Sequence, residues 1–184
     1  MGQETSYSKE TLRDLIDGKL PWEETQQIIS GAKDSHRFDK YVEILQERVR
    51  FHEKILLPLA EHLYIVEKGE ERIVKCDCCY EYGDYRVNWK LMALIDVLET
   101  EQELDKIYPG FGKPNPEYCE IRRYFCPGCG AQLEVEAVPR GYPMIFDFLP
   151  DLDTFYKDWL RRPLSTSKEF KDLTYEEIER WRAE

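Results

Sequence analysis

Several features are scarce in this chain, and each absence narrows what it can do. No window approaches the roughly 18 consecutive apolar residues that a membrane-spanning helix needs. Residues 1–6 carry no apolar stretch, so no secretory leader is expected. Histidine occurs three times. His36, His52 and His62 share no metal-binding spacing, and satisfied or exposed imidazoles are the simpler reading. Positive charge is in deficit, with 26 Lys and Arg against 37 Asp and Glu and a formal net charge of -11. A surface that negative repels phosphate backbones. The basic pairs Arg48/Arg50, Arg122/Arg123 and Arg161/Arg162 are isolated among acids and aromatics, so they read as solvated faces or local ion pairs and nucleic acid is not an expected partner. No phosphate loop, nucleophile elbow or dinucleotide fingerprint is present. Carboxylate pairs such as Glu134/Glu136 and Asp151/Asp153 arise freely in so acidic a chain. Nothing in the sequence points to catalysis by this chain alone.

What is present suits one compact domain: 184 residues, 42% of them hydrophobic. With neither leader nor span, a cytoplasmic location is expected. Six cysteines in that reducing compartment read as thiols or metal ligands before disulfides. Leu12, Leu15 and Ile16 recur at helical spacing and Gly18 follows as a stop, which predicts a first helix; a second begins near Pro21. Phe38, Tyr41, Val42, Leu45 and Val49 form one apolar stripe of a third. Residues 1–60 therefore read as a helical N-terminal part.

Residues 61–140 read as a strand region. Leu63–Val66 and Ile73–Cys76 flank a polar turn at Lys68–Glu71. Asn88 to Val97 is apolar without a clean period, leaving strand and helix both open. Thr100 and Glu103 have capping-box spacing for a short helix ending before Pro109, and Pro109–Pro116 is a loop by composition. Strands are then predicted at 120–125 and 133–138. Residues 141–184 read as helical pieces of a docking segment: Leu152, Phe155, Tyr156 and Trp159 on one face, then a final helix capped at Thr174.

The strongest local signal is Cys76-Asp77-Cys78-Cys79 followed, after 46 further residues, by Cys126-Pro127-Gly128-Cys129-Gly130. In Cys-Pro-x-Cys-Gly the proline and glycines shape a tight turn that aims two sulfurs at one point. Two such knuckles at strand ends would complete a tetrahedral zinc site with Zn–S bonds of about 2.3 Å. Four protein sulfurs leave no open coordination position, so the metal's role would be structural. Buried free thiols and an iron–sulfur cluster are the competing readings. Paired spacings with Pro and Gly inside one pair argue against scattered free thiols, and zinc is the reading preferred over an iron–sulfur cluster. In the first knuckle, spacing alone leaves Cys78 and Cys79 both open, because Cys76 with Cys79 has the usual two-residue gap. Cys119 reads as a strand thiol.

Beyond these motifs, the chain resembles the gamma subunit of acetone carboxylase, a small zinc-binding subunit of ATP-dependent ketone carboxylases. The likeness lies in Tyr41–Arg48, Ile55–Leu59, Asn88–Leu91, Ile107-Tyr108-Pro109 and Tyr124–Gly130, and continues through Tyr142-Pro143, Asp147-Phe148, Pro150-Asp151 and Phe155-Tyr156 to Trp159-Leu160. It spans roughly residues 8 to 163 in order. The family's first knuckle is similar to Cys-x-Cys-Gly, which implies Cys76, Cys78, Cys126 and Cys129 as the ligands and places Cys79 where a glycine is usual. A charged helix beyond Pro163 is extra to the pattern. The resemblance implies a non-catalytic subunit bound to larger alpha and beta subunits, themselves similar to the two halves of ATP-dependent hydantoinases. Those would handle ATP, bicarbonate and a manganese-type metal to turn acetone into acetoacetate. An acetophenone-type carboxylase is the related alternative, and a free-standing zinc ribbon that binds other molecules is the alternative of a different class. The fold expected is α+β, a small antiparallel sheet with a zinc-ribbon-like four-cysteine centre between N-terminal and C-terminal helices.

Overall fold

The computed structural model describes residues 6–110 and 112–183. Residues 1–5 of the opening segment, and Phe111 within the Pro109–Pro116 loop, lie outside these. The fold is α+β, with small antiparallel sheets among short helices.

Three helices come first: α1 (Lys9–Ile16), α2 (Trp22–Ser30) and α3 (Arg37–Gln46). The Ser8 hydroxyl caps α1 by accepting from the Thr11 N–H at 3.0 Å, and Gly18, at φ 67°, leaves the helical path soon after its end. Asp34, in the loop after α2, ties the segment that leads into α1 to the start of α3. Its buried carboxylate accepts from the backbone N–H of Tyr7 and of His36 and from the Lys40 ammonium, at 2.8–2.9 Å. The α3 stripe packs Tyr41, Val42 and Leu45 onto Phe51, Ile55, Tyr64, Val66 and Ile73.

A four-stranded meander follows, in the order β1 (Lys54–Ala60), β2 (Leu63–Lys68), β3 (Glu71–Cys76), β4 (Glu81–Asp84). Strand β1 falls inside the stretch 1–60 that reads as a helical N-terminal part, so the strands begin earlier than expected. Its run Ile55–Leu59 has no alternation, and Pro58 reads as a breaker, yet β1 is an edge strand, where a missing N–H is tolerated. The Gln46 side chain fixes where it starts, donating to the Glu53 carbonyl at 3.2 Å and accepting from the Ile55 N–H at 2.9 Å. Strand β4, with one buried residue in four, left no periodic trace in the sequence.

The segment with two open readings contains both a helical turn and a strand. Asn88 caps a 3-10 turn at Trp89–Met92, and β5 (Leu94–Leu98) continues from it. Helix α4 (Glu101–Ile107) has the full Thr100/Glu103 capping box. Strands β6 (Cys119–Phe125) and β7 (Gln132–Pro139) complete a second, three-stranded sheet in the order β5-β6-β7. There are thus two sheets where one was expected.

The main core lies between the sheets: Leu56, Leu63, Ile65 and Val74 from the first, Tyr124 from the second, with Tyr82, Trp89 and the Cys76 and Cys126 thiols. Helix α5 (Leu152–Thr154), continued by a π turn over Phe155–Trp159, closes it with Leu152 and Tyr156; the Tyr156 hydroxyl donates to the Leu56 carbonyl at 2.8 Å. The wider π turn rotates Trp159 out of the expected common face, leaving it 76% exposed. Helix α6 (Thr174–Ala183) buries no side chain. Its expected cap also differs: the Thr174 N–H donates to Asp172 at 2.8 Å, while the Thr174 hydroxyl accepts from the Asn88 N–H at 2.9 Å.

Candidate metal centre

Each sheet delivers one cysteine turn. Strand β3 ends on Cys76, whose N–H donates to the Tyr80 carbonyl at 2.9 Å while the Cys79 N–H returns to the Cys76 carbonyl at 2.9 Å. Strand β6 runs into Cys126, whose N–H donates to the Ala131 carbonyl at 2.8 Å and whose carbonyl accepts from Gly130 at 2.8 Å. Gly130 has φ 73°, a backbone setting that favours glycine. Gly128 matters for a different reason. A methyl group there would stand 3.0 Å from the Tyr80 Cβ and 3.1 Å from the Cys78 Sγ, so any larger residue would push the two turns apart by a few tenths of an ångström.

They meet at four sulfurs. Cys76, Cys78, Cys126 and Cys129 place their Sγ atoms all within 4.8 Å of one another, with Cys76–Cys129 at 3.8 Å and Cys78–Cys126 at 3.6 Å. These are not disulfides, and all six cysteines are free. A tetrahedral ion with bonds of about 2.3 Å to sulfur sets its ligands about 3.8 Å apart, so the spacing and the all-thiol donor set fit a metal of the zinc type. Cys76 and Cys126 are buried, Cys78 is half-buried and Cys129 is exposed. Cys79 stands outside the group, exposed, at φ 83°. Cys119 is also outside it, its thiol donating to the Glu120 carbonyl.

The four thiols are electrostatically unequal. Burial pushes Cys76 far above the ordinary thiol range, and raises Cys78 as well. Burial also opposes ionisation of Cys126, but the Tyr82 hydroxyl and the backbone N–H groups of Gly128 and Cys129 outweigh it and bring that thiol down to about 7.

The family model for the acetone carboxylase gamma subunit matches residues 49–160, more than half of the chain, including both sheets and all four sulfurs. The chain belongs to that family. The acetone carboxylase gamma subunit of Xanthobacter autotrophicus is 42% identical over 161 residues, 86% of this chain and 96% of that protein. The acetophenone carboxylase beta subunit of Aromatoleum aromaticum is 28% identical over 138 residues, 73% of this chain and 98% of its own length. In this gamma-family chain, α1–α3 before Val49 and α6 lie outside the matched segment.

Sequence reasoning missed a second polar centre in this family member. The Lys90 ammonium, its side chain only 2% exposed, sits among Glu134 at 2.9 Å, Glu136 and Asp147. Burial works against its charge, yet the three carboxylates hold its pKa above the ordinary lysine range. The Tyr124 hydroxyl adds a donor to Glu136 at 2.7 Å. A usable signal existed: Glu134 and Glu136 are two apart on a strand and so share a face. The Lys90 side chain occupies the place of a cation, which makes this a structural charge cluster. Asp151 and Asp153 also have tasks. Asp151 caps Thr154 at 3.0 Å, and Asp153 pairs with the buried Arg72 at 2.8 and 3.1 Å. The basic pairs supply local ion pairs as read: Arg48 to Asp17, Arg122 to Glu120, Arg123 to Asp96 and Arg162 to Asp39. Of the histidines, His62 pairs through Nδ1 with Asp77 at 2.7 Å, while His36 and His52 are exposed.

Proposed function

We propose that this chain is the non-catalytic, zinc-braced subunit of an ATP-dependent ketone carboxylase, acting in the cytoplasm on acetone and bicarbonate to give acetoacetate. The observation that carries the proposal is the pairing of family membership with a closed four-thiol cluster. Cys76, Cys78, Cys126 and Cys129 would hold the ion. When bound, zinc would supply a rigid tetrahedral link and no open position for substrate. The work falls to the residues around it: Cys76 and Cys78 fix the end of β3, Cys126 and Cys129 fix the end of β6, and Gly128 lets the two turns close.

Larger alpha and beta subunits of hydantoinase type would bind ATP, bicarbonate and a manganese-type metal. A surface feature supports life inside an assembly. Edge strand β5 leaves Leu94, Ile95 and Val97 between 37% and 57% exposed, and its single charge, Asp96, is paired with Arg123. Isolated proteins usually protect such an edge with unpaired charge, proline or cover. Acetone is favoured over acetophenone because the acetone relative is 42% identical and the acetophenone relative 28%. A free-standing zinc ribbon has less support, since the family match runs through both sheets to Leu160.

The test is to purify the full chain with its native partners through a tag and measure ATP hydrolysis with acetone, with acetophenone and with neither. Acetone-stimulated hydrolysis by the assembly, absent from the isolated chain, is expected. Stimulation by acetophenone alone would move the substrate to the related class, and a chain that purifies without partners would contradict the subunit reading.

A further inference from the structure

Among the described residues, one buried side-chain oxygen or nitrogen has no hydrogen-bond partner: the Tyr82 hydroxyl. Tyr82 is 3% exposed, and its ring is held edge-on by Tyr80 at 5.0 Å and Trp89 at 5.9 Å. A phenol locked this way cannot turn its hydroxyl to water. Burying a hydroxyl without a partner costs stability, and proteins rarely keep such a group without a use for it. Phenylalanine would fill the same space at no such cost. The hydroxyl is buried in the same core cluster as the Cys126 thiol, the innermost sulfur of the β6 turn, and the two are close enough for each to perturb the other's ionisation. Facing a neutral thiol it has a poor acceptor; facing a thiolate it has a strong one.

We infer that Tyr82 is a positioning residue of the metal centre, donating an O–H···S hydrogen bond to the Cys126 thiolate when the four sulfurs hold their ion. This rests on the four-thiolate reading proposed above and adds to it an outer partner that orients one ligand. No proton is transferred. The bond draws charge from the sulfur and fixes the Cys126 side chain, as outer-shell donors do at other metal sites. Strand β4, which carries Tyr82 and has no sulfur ligand of its own, thereby becomes part of the site.

The test uses the purified full chain, its Tyr82→Phe variant and Tyr80→Phe as a packing control. Zinc affinity is read by competition with a chelator, and the sulfur-to-metal charge-transfer band is read after loading with cobalt(II). Tyr82→Phe should weaken zinc binding by roughly tenfold or more. It should also move the cobalt band to lower energy, because a sulfur without the donor releases charge more easily. Tyr80→Phe should change neither. A Tyr82→Phe protein with unchanged affinity and band overturns the hydrogen bond while leaving the four-thiolate site intact. Equal changes in Tyr80→Phe would reduce the effect to packing and overturn it too. A wild-type chain that takes up no metal would instead overturn the underlying reading of the cysteines.

Discussion

Replacing Cys79 by glycine separates a metal ligand from a turn residue. Cys79 sits at φ 83°, where a side chain costs roughly 1–2 kcal/mol. Glycine removes that cost but gives back about 0.5–1 kcal/mol through the larger entropy of the unfolded chain. The net gain is about 1 kcal/mol or slightly less. In a protein of this size that raises the melting temperature by roughly 2–4 °C. Because the Cys79 thiol stands outside the sulfur cluster, zinc occupancy should not change. Cys78 is the contrast. Its sulfur lies 3.6 Å from that of Cys126, and Cys78→Ser should weaken zinc binding, though Cys79 is near enough in sequence to substitute in part. The assay is thermal melting of zinc-saturated protein together with a chelator competition. A tenfold loss of affinity in Cys79→Gly with little change in Cys78→Ser would refute the assignment. An unaltered or lower melting temperature in Cys79→Gly would refute the cost assigned to its backbone.

Lys90→Met should destabilise the protein by about 3 kcal/mol, measured by urea unfolding, because it leaves Glu134, Glu136 and Asp147 facing one another with their shared cation gone. A pH signature comes from Asp34. Burial pulls its pKa up, but the Lys40 ammonium and the N–H groups of Tyr7 and His36 outweigh that and hold it at about 2. A depressed carboxylate stabilises the fold above its unfolded value of about 3.9 and loses that contribution as pH falls toward 2. Asp34→Asn should therefore cost about 2 kcal/mol at pH 6 and much less at pH 2.5, in the same unfolding experiment. An equal cost at both values would show that shape and not charge links the segment before α1 to α3.

The parts of the fold that could be read in advance are those with strong local rules. The Leu12/Leu15/Ile16 spacing, the Thr100/Glu103 box and the polar turn at Lys68–Glu71 between two apolar runs each depend on residues close in sequence, and each element stands where it was expected. Misses arose where tertiary placement overrode local pattern. Pro58 reads as a breaker unless its strand is known to be an edge, and only the order of the sheet supplies that fact. Trp159 followed helical spacing until a π turn moved it outward. The four sulfurs brought together were named from motif and resemblance. The Lys90 cluster was not, because Lys90 meets Asp147 across 57 positions of sequence and only the Glu134/Glu136 spacing hints at it locally.

The most direct measurement is elemental analysis of the purified full chain for zinc, iron and acid-labile sulfide. A braced four-thiolate centre predicts one zinc per chain and neither iron nor sulfide, with the zinc retained through gel filtration. Iron with sulfide, or a folded chain free of metal, would contradict it.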